Sequence, residues 1–191
     1  MVACRHTCYR QTARDGMDTW RWFCIWQRGV SWLHPDGNTE LPKLLTMVNT
    51  DKVWAEPARF TARAFVAKGA PAYVYQFGYV AASMQQFMRY GAAHASEIAY
   101  VFDNLRSPNG ALMTPEDQAV AKVMNAYWTN FAKTGNPNGS GLPDWPAFDP
   151  AKNGLMVFQP DGKAVGQTDP KKARLDAMEK AAAAAPHSPQ P

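Results

Sequence analysis

PAYVYQFGYV, residues 71–80, is dense in aromatic and β-branched side chains and short enough for one strand. Tyr73, Tyr75, Phe77 and Tyr79 fall on one face, and Ala72, Val74, Gln76 and Val80 on the other. Both faces are largely apolar, which predicts a strand covered by helices on both sides. Just upstream, the spacing predicts a helix from Pro57 to Lys68. Pro57 suits a first helical position, where its missing N–H has no intrahelical acceptor to lose. Phe60, Ala64 and Phe65 take one side of that helix, and Gly69 is placed to cap its end. Helix, glycine cap and doubly covered strand together predict an α/β fold.

Working outward, HPDG at 34–37 is a turn signal, Glu40–Val48 predicts a short helix, and Asp51 is placed to cap the next turn. The clearest element is TPEDQAVAKVMNAYWTNFAKTG, residues 114–135. Thr114 is a capping residue, Pro115 takes the first position, and Glu116 and Asp117 sit where the helix dipole favours anions. Val120, Val123, Met124, Tyr127, Trp128 and Phe131 recur at helical spacing as a core stripe, and Gly135 ends the run. GNPNGSGLPDWPAFDP, 135–150, is a loop anchored by Trp145 and Phe148, and LMVFQPDG, 155–162, reads as a strand and turn. DPKKARLDAMEKAAAAA predicts a terminal helix that gives way to a tail containing His187.

The opening segment differs from all of this. Residues 1–33 hold Trp20, Trp22, Trp26 and Trp32, four of the seven tryptophans, with no clean period of 2 or 3.6. Arg5, Arg10, Arg14, Arg21 and Arg28 face only Asp15 and Asp18, so this segment carries most of the formal net charge of +4. The remainder is near neutral and gives nucleic-acid binding no support. A Trp/Arg mixture suits a membrane surface or single-stranded nucleic acid, while a shifted reading frame or fusion junction would leave the same composition. Cys4, Cys8 and Cys24 are odd in number and imply no closed disulfide framework. CRHTC, with His6 between two thiols, lacks the second half of a zinc site. The division expected is an atypical segment at 1–33, a folded portion at 34–179 and a disordered tail at 180–191. With 46% hydrophobic and 19% charged residues the chain has globular composition. No apolar run reaches the roughly 18–20 residues a membrane span needs, and the start has no apolar signal region.

GAAHASEIAYVF, 91–102, sets His94 alone among alanines, on a loop after the strand. Catalytic groups of α/β folds sit on such loops, and in α/β-hydrolases the histidine follows nucleophile and acid in chain order. A core histidine satisfied by a carbonyl is the alternative reading. From about Pro35 to Asp176 the chain resembles the C-terminal portion of the type B carboxylesterases, the family that includes the cholinesterases. The matching stretches are TDKVWAEPARFTARAF (50–65), PAYVYQFGY (71–79), GAAHASEIAYVF (91–102) and YWTNFAKTGNPNGSGLPDWPAFD (127–149), in that order.

The resemblance implies the C-terminal part of an α/β-hydrolase fold, with an incomplete sheet flanked by helices. It implies carboxylic-ester hydrolysis by a serine–acid–histidine triad without metal or organic cofactor, with His94 at the position of the general base. Glu97 matches a position near the site and is expected to support it through a hydrogen bond. The chain departs from the family pattern in having no G-x-S-x-G. NGSGL at 138–142 has the wrong spacing and follows His94, and Asp51 matches a helix start and not the triad acid. The nucleophile and acid are thus expected outside these residues, which makes the chain a fragment, inactive alone. Its expected partner is a small-molecule carboxylic ester if the complete domain is assembled, with no nucleic acid and no metal. The competing class is a non-catalytic interaction domain on the same fold. Compartment stays open.

Overall fold

A computed structural model of the chain describes residues 40–106 and 113–183. The Trp/Arg-rich segment 1–33, its cysteines with His6, the HPDG turn and the end of the tail with His187 lie outside the described residues.

Helix α1, Leu41–Thr50, does not stop before Asp51. It runs through a π-helical turn, Asp51–Ala55, into α2, Glu56–Ala67, with Asp51 and Glu56 both in right-handed helical geometry. The expected break and Asp51 cap are therefore corrected to one continuous rod. Pro57 explains the π turn: its ring has no N–H to give and crowds the carbonyl four residues back. The wider turn, closed by Glu56 N–H to the Asp51 carbonyl, makes room for it. Gly69 ends the rod at φ 77°, as expected. The side of α2 that carries Phe60 and Phe65 is not the buried one. Phe60 and Phe65 are exposed, whereas Arg59 and Ala62 are buried.

Arg59 is buried because α5, Lys172–Ala183, supplies its counter-charges. Its guanidinium meets Glu56 at 2.9 Å, Asp176 at 2.6 Å and Glu179 at 3.2 Å, and Arg63 also pairs with Glu179. Burial works against the Arg59 charge, but the hydrogen bonds to Asp176 and Glu56 prevail and hold its pKa above the ordinary arginine value. Glu56 is pushed up because its own burial outweighs Arg59, while Asp176 is held low by Lys172 first and Arg59 next. Two turns earlier, buried Asp51 pairs with Arg174 and lies 3.9 Å from Lys171. The rod is thus fastened to α5 by charge. Helix α5 reaches Ala183, so residues 180–183 are helix and not tail, as their alanine run favours.

The sheet has three strands in the order β1-β2-β3. β1 is Tyr75–Phe77, β2 Gly154–Phe158 and β3 Ala164–Thr168. β1 pairs with β2 in parallel, Tyr75 opposite Met156 and Phe77 opposite Phe158, and β2 pairs with β3 antiparallel. The regular ladder, three residues long, is shorter than the stretch 71–80 expected as a strand. Extended backbone continues on both sides through Phe148 N–H to Ala72 C=O (2.8 Å) and Gly78 N–H to Phe158 C=O (2.8 Å). Every residue of β2 is buried. β1 is covered less than its apolar faces imply, since Tyr75 remains 38% exposed.

Helix α4, Pro115–Thr134, begins with the expected Thr114 cap, here a capping box with Asp117, and ends on Gly135 at φ 75°. Val120, Met124 and Tyr127 are buried in one cluster with Trp145, Met156 and Phe158, and Val123 and Trp128 pack against it. Phe131, the last of the stripe, is exposed. Trp145 organises this layer: its ring meets Tyr127 at 5.2 Å and Trp128 at 5.5 Å, and its indole N–H donates to the Val74 carbonyl at 3.1 Å. Asn138 bonds both backbone groups of Trp145 (2.7 and 3.0 Å) and fixes the loop that carries it. Gly166 has a steric reason, since a Cβ there would lie 2.2 Å from the Asp144 carbonyl of that loop.

Replacing Arg59 by Leu leaves Glu56, Asp176 and Glu179 without their shared counter-charge, and should lower unfolding stability by about 3 kcal/mol in urea titrations. Lys163→Ala, which breaks a pair at the surface with Asp161, should leave the midpoint in place.

Candidate active site

The chain leaves β1 at Gly78 and passes through a 3₁₀ turn, Ala82–Met84, and further turns to His94. His94 stands in a tight turn closed by Ser96 N–H to the Ala93 carbonyl at 3.1 Å. The next residue, Ala95, has φ 67°, a left-handed conformation that suits glycine better than alanine. Glu97 follows and opens the short helix α3, Ile98–Val101. The loop thus turns sharply around one imidazole, which is exposed.

That imidazole lies on the ring of Trp54, with centroids 3.8 Å apart and planes 18° from parallel. Trp54 comes from the π turn of the rod, three residues after the buried Asp51, so the ion pairs to α5 fix where its indole stands. Among the described residues His94 has no hydrogen-bond partner. Stacking on Trp54 is the contact that restrains its ring.

Glu97 lines the same groove but is engaged elsewhere: its carboxylate accepts the Tyr75 hydroxyl at 3.3 Å. Burial, then the Glu97 charge and that hydrogen bond, push the Tyr75 phenol up to about 12, so it stays a donor across the neutral range. No hydrogen bond joins His94 to Glu97 among the described residues. Asp51, considered as a substitute acid, also borders the groove, but its oxygens are taken by Arg174 and Lys171. Burial lowers the Lys171 pKa, and the Asp51 charge opposes that shift.

The groove holds about 1020 Å³ and is lined by Trp54, Tyr75, His94, Glu97, Arg59 and Lys171 among others. A second, more apolar cavity of about 590 Å³ lies past the end of β1, between Tyr79, Met84, Tyr100 and Phe102. Among the described residues no cluster of three or more His, Cys, Asp or Glu could hold a metal, and no helix is long and apolar enough to cross a membrane. An exposed imidazole beside a wide groove can take and return protons for a reactant bound there. His94 and Glu97, the candidates from the sequence, both border the groove, whereas the sequence carried no signal that Trp54 and the Tyr75 hydroxyl would be their neighbours. Trp54 is distant in sequence and is turned toward His94 by a π turn that no periodicity announces.

The family model described as the carboxylesterase family matches residues 5–178. The chain belongs to the carboxylesterase family. Human cocaine esterase (Homo sapiens) is 35% identical to it over 120 residues, which cover 61% of this chain and 21% of that protein. Carboxylesterase 1C of Rattus norvegicus is 33% identical over 124 residues, covering 64% of this chain and 22% of that protein. Among solved structures, the Geobacillus stearothermophilus carboxylesterase EST55 superimposes with a TM-score of 0.65 at 29% identity, over 79% of this chain and 31% of that one. A PNB esterase structure superimposes with a TM-score of 0.59 at 27% identity, over 72% of this chain and 27% of that one. The chain therefore spans about a fifth of the curated carboxylesterases it matches. Its three-stranded sheet with flanking helices is part of their α/β-hydrolase fold, as the sequence resemblance implied.

Trp54→Leu should move the His94 ring proton resonances downfield by removing the indole ring current, and Trp54→Phe should retain part of the shift. Proton–carbon correlation spectra of the imidazole read this directly. Unchanged His94 resonances in Trp54→Leu would mean that the two rings do not stack in solution.

Proposed function

We propose that this chain contributes the general base of a carboxylic-ester hydrolase, and that His94 is that base. The observation that carries the reading is an exposed imidazole in an open groove, on the loop beyond the carboxyl end of a parallel strand, in a member of the carboxylesterase family. In this reading His94 takes the proton of a serine hydroxyl as its oxygen attacks the ester carbonyl. It passes that proton to the departing alcohol, then repeats the cycle with water to release the acid from the acyl-enzyme. An acid on the other ring nitrogen stabilises the imidazolium, and backbone N–H groups hold the oxyanion.

His94 is the one member of that triad we assign to this chain. The 191 residues contain no G-x-S-x-G, and Asp51 is committed to Arg174 and Lys171. Serine, acid and oxyanion donors would come from the part of a carboxylesterase domain that the chain does not match. Glu97 then acts at one remove, by holding the Tyr75 hydroxyl at the floor of the groove. The substrate class is a small carboxylic ester, and no step in this scheme requires a metal or an organic cofactor.

Alone, the chain should hydrolyse p-nitrophenyl acetate no faster than free imidazole at equal concentration, with no sensitivity to a fluorophosphonate. Fused to the part of EST55 outside the match, it should gain turnover, and His94→Gln should then lower kcat by about 10⁴-fold or more. A folded fusion whose turnover survives His94→Gln would contradict the assignment. A folded fusion without turnover would favour the non-catalytic interaction domain.

A further inference from the structure

Lys171 lines the groove of about 1020 Å³ that His94 also borders, and ester hydrolysis as proposed leaves it without a role. Its side chain is only 20% exposed, against 75% for Lys163 and 81% for Lys152. A lysine buried to that degree normally has its ammonium paired and hydrogen-bonded. Lys171 does not. Among the described residues its one ion-pair partner is Asp51, at 3.9 Å, too far for a hydrogen bond. Arg174 has taken that carboxylate, donating to one oxygen at 3.1 Å and pairing with the other.

The backbone works in the same direction. Lys171 immediately precedes α5, and its carbonyl accepts the Leu175 N–H at 2.9 Å. Its own N–H donates to the Asp169 carboxylate at 2.7 Å, which fixes it at the start of the helix. There the helix dipole opposes a further positive charge. Burial and the Arg174 guanidinium favour the neutral amine, Asp51 and Asp169 oppose it, and burial prevails. A neutral lysine amine bordering an open groove is a nucleophile.

We infer that Lys171 is an acylation site, which takes the acyl group of an activated carboxylic ester entering the groove. The Nζ lone pair attacks the ester carbonyl carbon, so that a C–N bond forms and the C–O bond to the leaving group breaks. The leaving group departs as its anion with the bonding pair, and the proton lost by nitrogen passes to water. The product is a neutral amide, which does not hydrolyse under these conditions. The reaction therefore stops at one equivalent per chain and is distinct from turnover. It also removes the cation that competes with Arg174 for Asp51. The inference does not depend on the role of His94.

The test treats the full 191-residue chain with limiting p-nitrophenyl acetate near neutral pH and follows each lysine by peptide mass spectrometry. Lys171 should be acetylated about tenfold faster than Lys163 or Lys152, and in denaturing urea that preference should vanish. Arg174→Gln frees Asp51 to pair with Lys171 and should slow its acetylation about tenfold, whereas a site selected by exposure would keep its rate. The pH profile of the unaltered chain is a second check, independent of how that variant folds. The Lys171 rate should level off at lower pH than the Lys163 rate in the folded chain, and together with it in urea. His94→Gln should leave the Lys171 rate in place, which separates this site from the proposed general base. Equal rates in the folded chain, coincident pH profiles there, or a preference that survives urea would each overturn the proposal. So would a Lys171 rate unchanged by Arg174→Gln, or one lost in His94→Gln, since the acyl group would then reach the lysine through the imidazole.

Discussion

Trp145 fastens a parallel strand of only three residues to the rest of the protein. Parallel pairing brings together segments far apart in sequence, and three residues of ladder offer little to offset the chain entropy. The Trp145 indole supplies what the ladder lacks. It donates to the Val74 carbonyl, stacks edge-on against Tyr127, and is itself clamped by Asn138 from the preceding loop. Each aromatic contact of this kind adds about 0.5–1.5 kcal/mol beyond the area it buries. The position of β1, the loop after it and His94 at the turn of that loop all follow from this attachment.

A second constraint acts from the other side of the groove. The rod from Leu41 to Ala67 presents few buried apolar side chains, and its contact with α5 runs through Arg59 and Asp51. Ion pairs of this kind are directional where apolar packing is not, and a buried charge stranded by a shift of the rod would be costly. The π turn at Asp51–Ala55 converts that fixed position into an orientation, setting the Trp54 indole flat against His94. An exposed imidazole without a hydrogen-bond partner among the described residues is thereby held by one aromatic face, with the other open to the groove.

Much of this was legible in the sequence, and the exceptions share a physical cause. Helix α4 could be read almost to the residue, because its cap, its dipole charges, its stripe and its terminal glycine all express local rules. The strand at 71–80 and His94 beyond it were legible from composition and order, and the family from four spaced stretches. Phe60 and Phe65 share one side of their helix at apolar spacing, yet that side is exposed and Arg59 is the residue buried, which only its counter-charges on α5 explain. The continuous rod was missed because Asp51 and Pro57 are ordinary signals of a helix start, and a π turn has no pattern of its own. Tyr75 with Glu97, and Trp54 with His94, are contacts of the tertiary structure, set by the sheet and the ion pairs together.

The groove at His94 forms only if β1 is attached through Trp145 when the chain is on its own. Nuclear Overhauser contacts in the isolated 191-residue protein test this most directly. The expected result is a contact from the Trp145 indole N–H to residue 74 and another between Gly78 and Phe158, seen alongside those within α4. Helical contacts in α4 with neither of the other two would contradict the account, since the strand would be detached and the groove at His94 would not be formed.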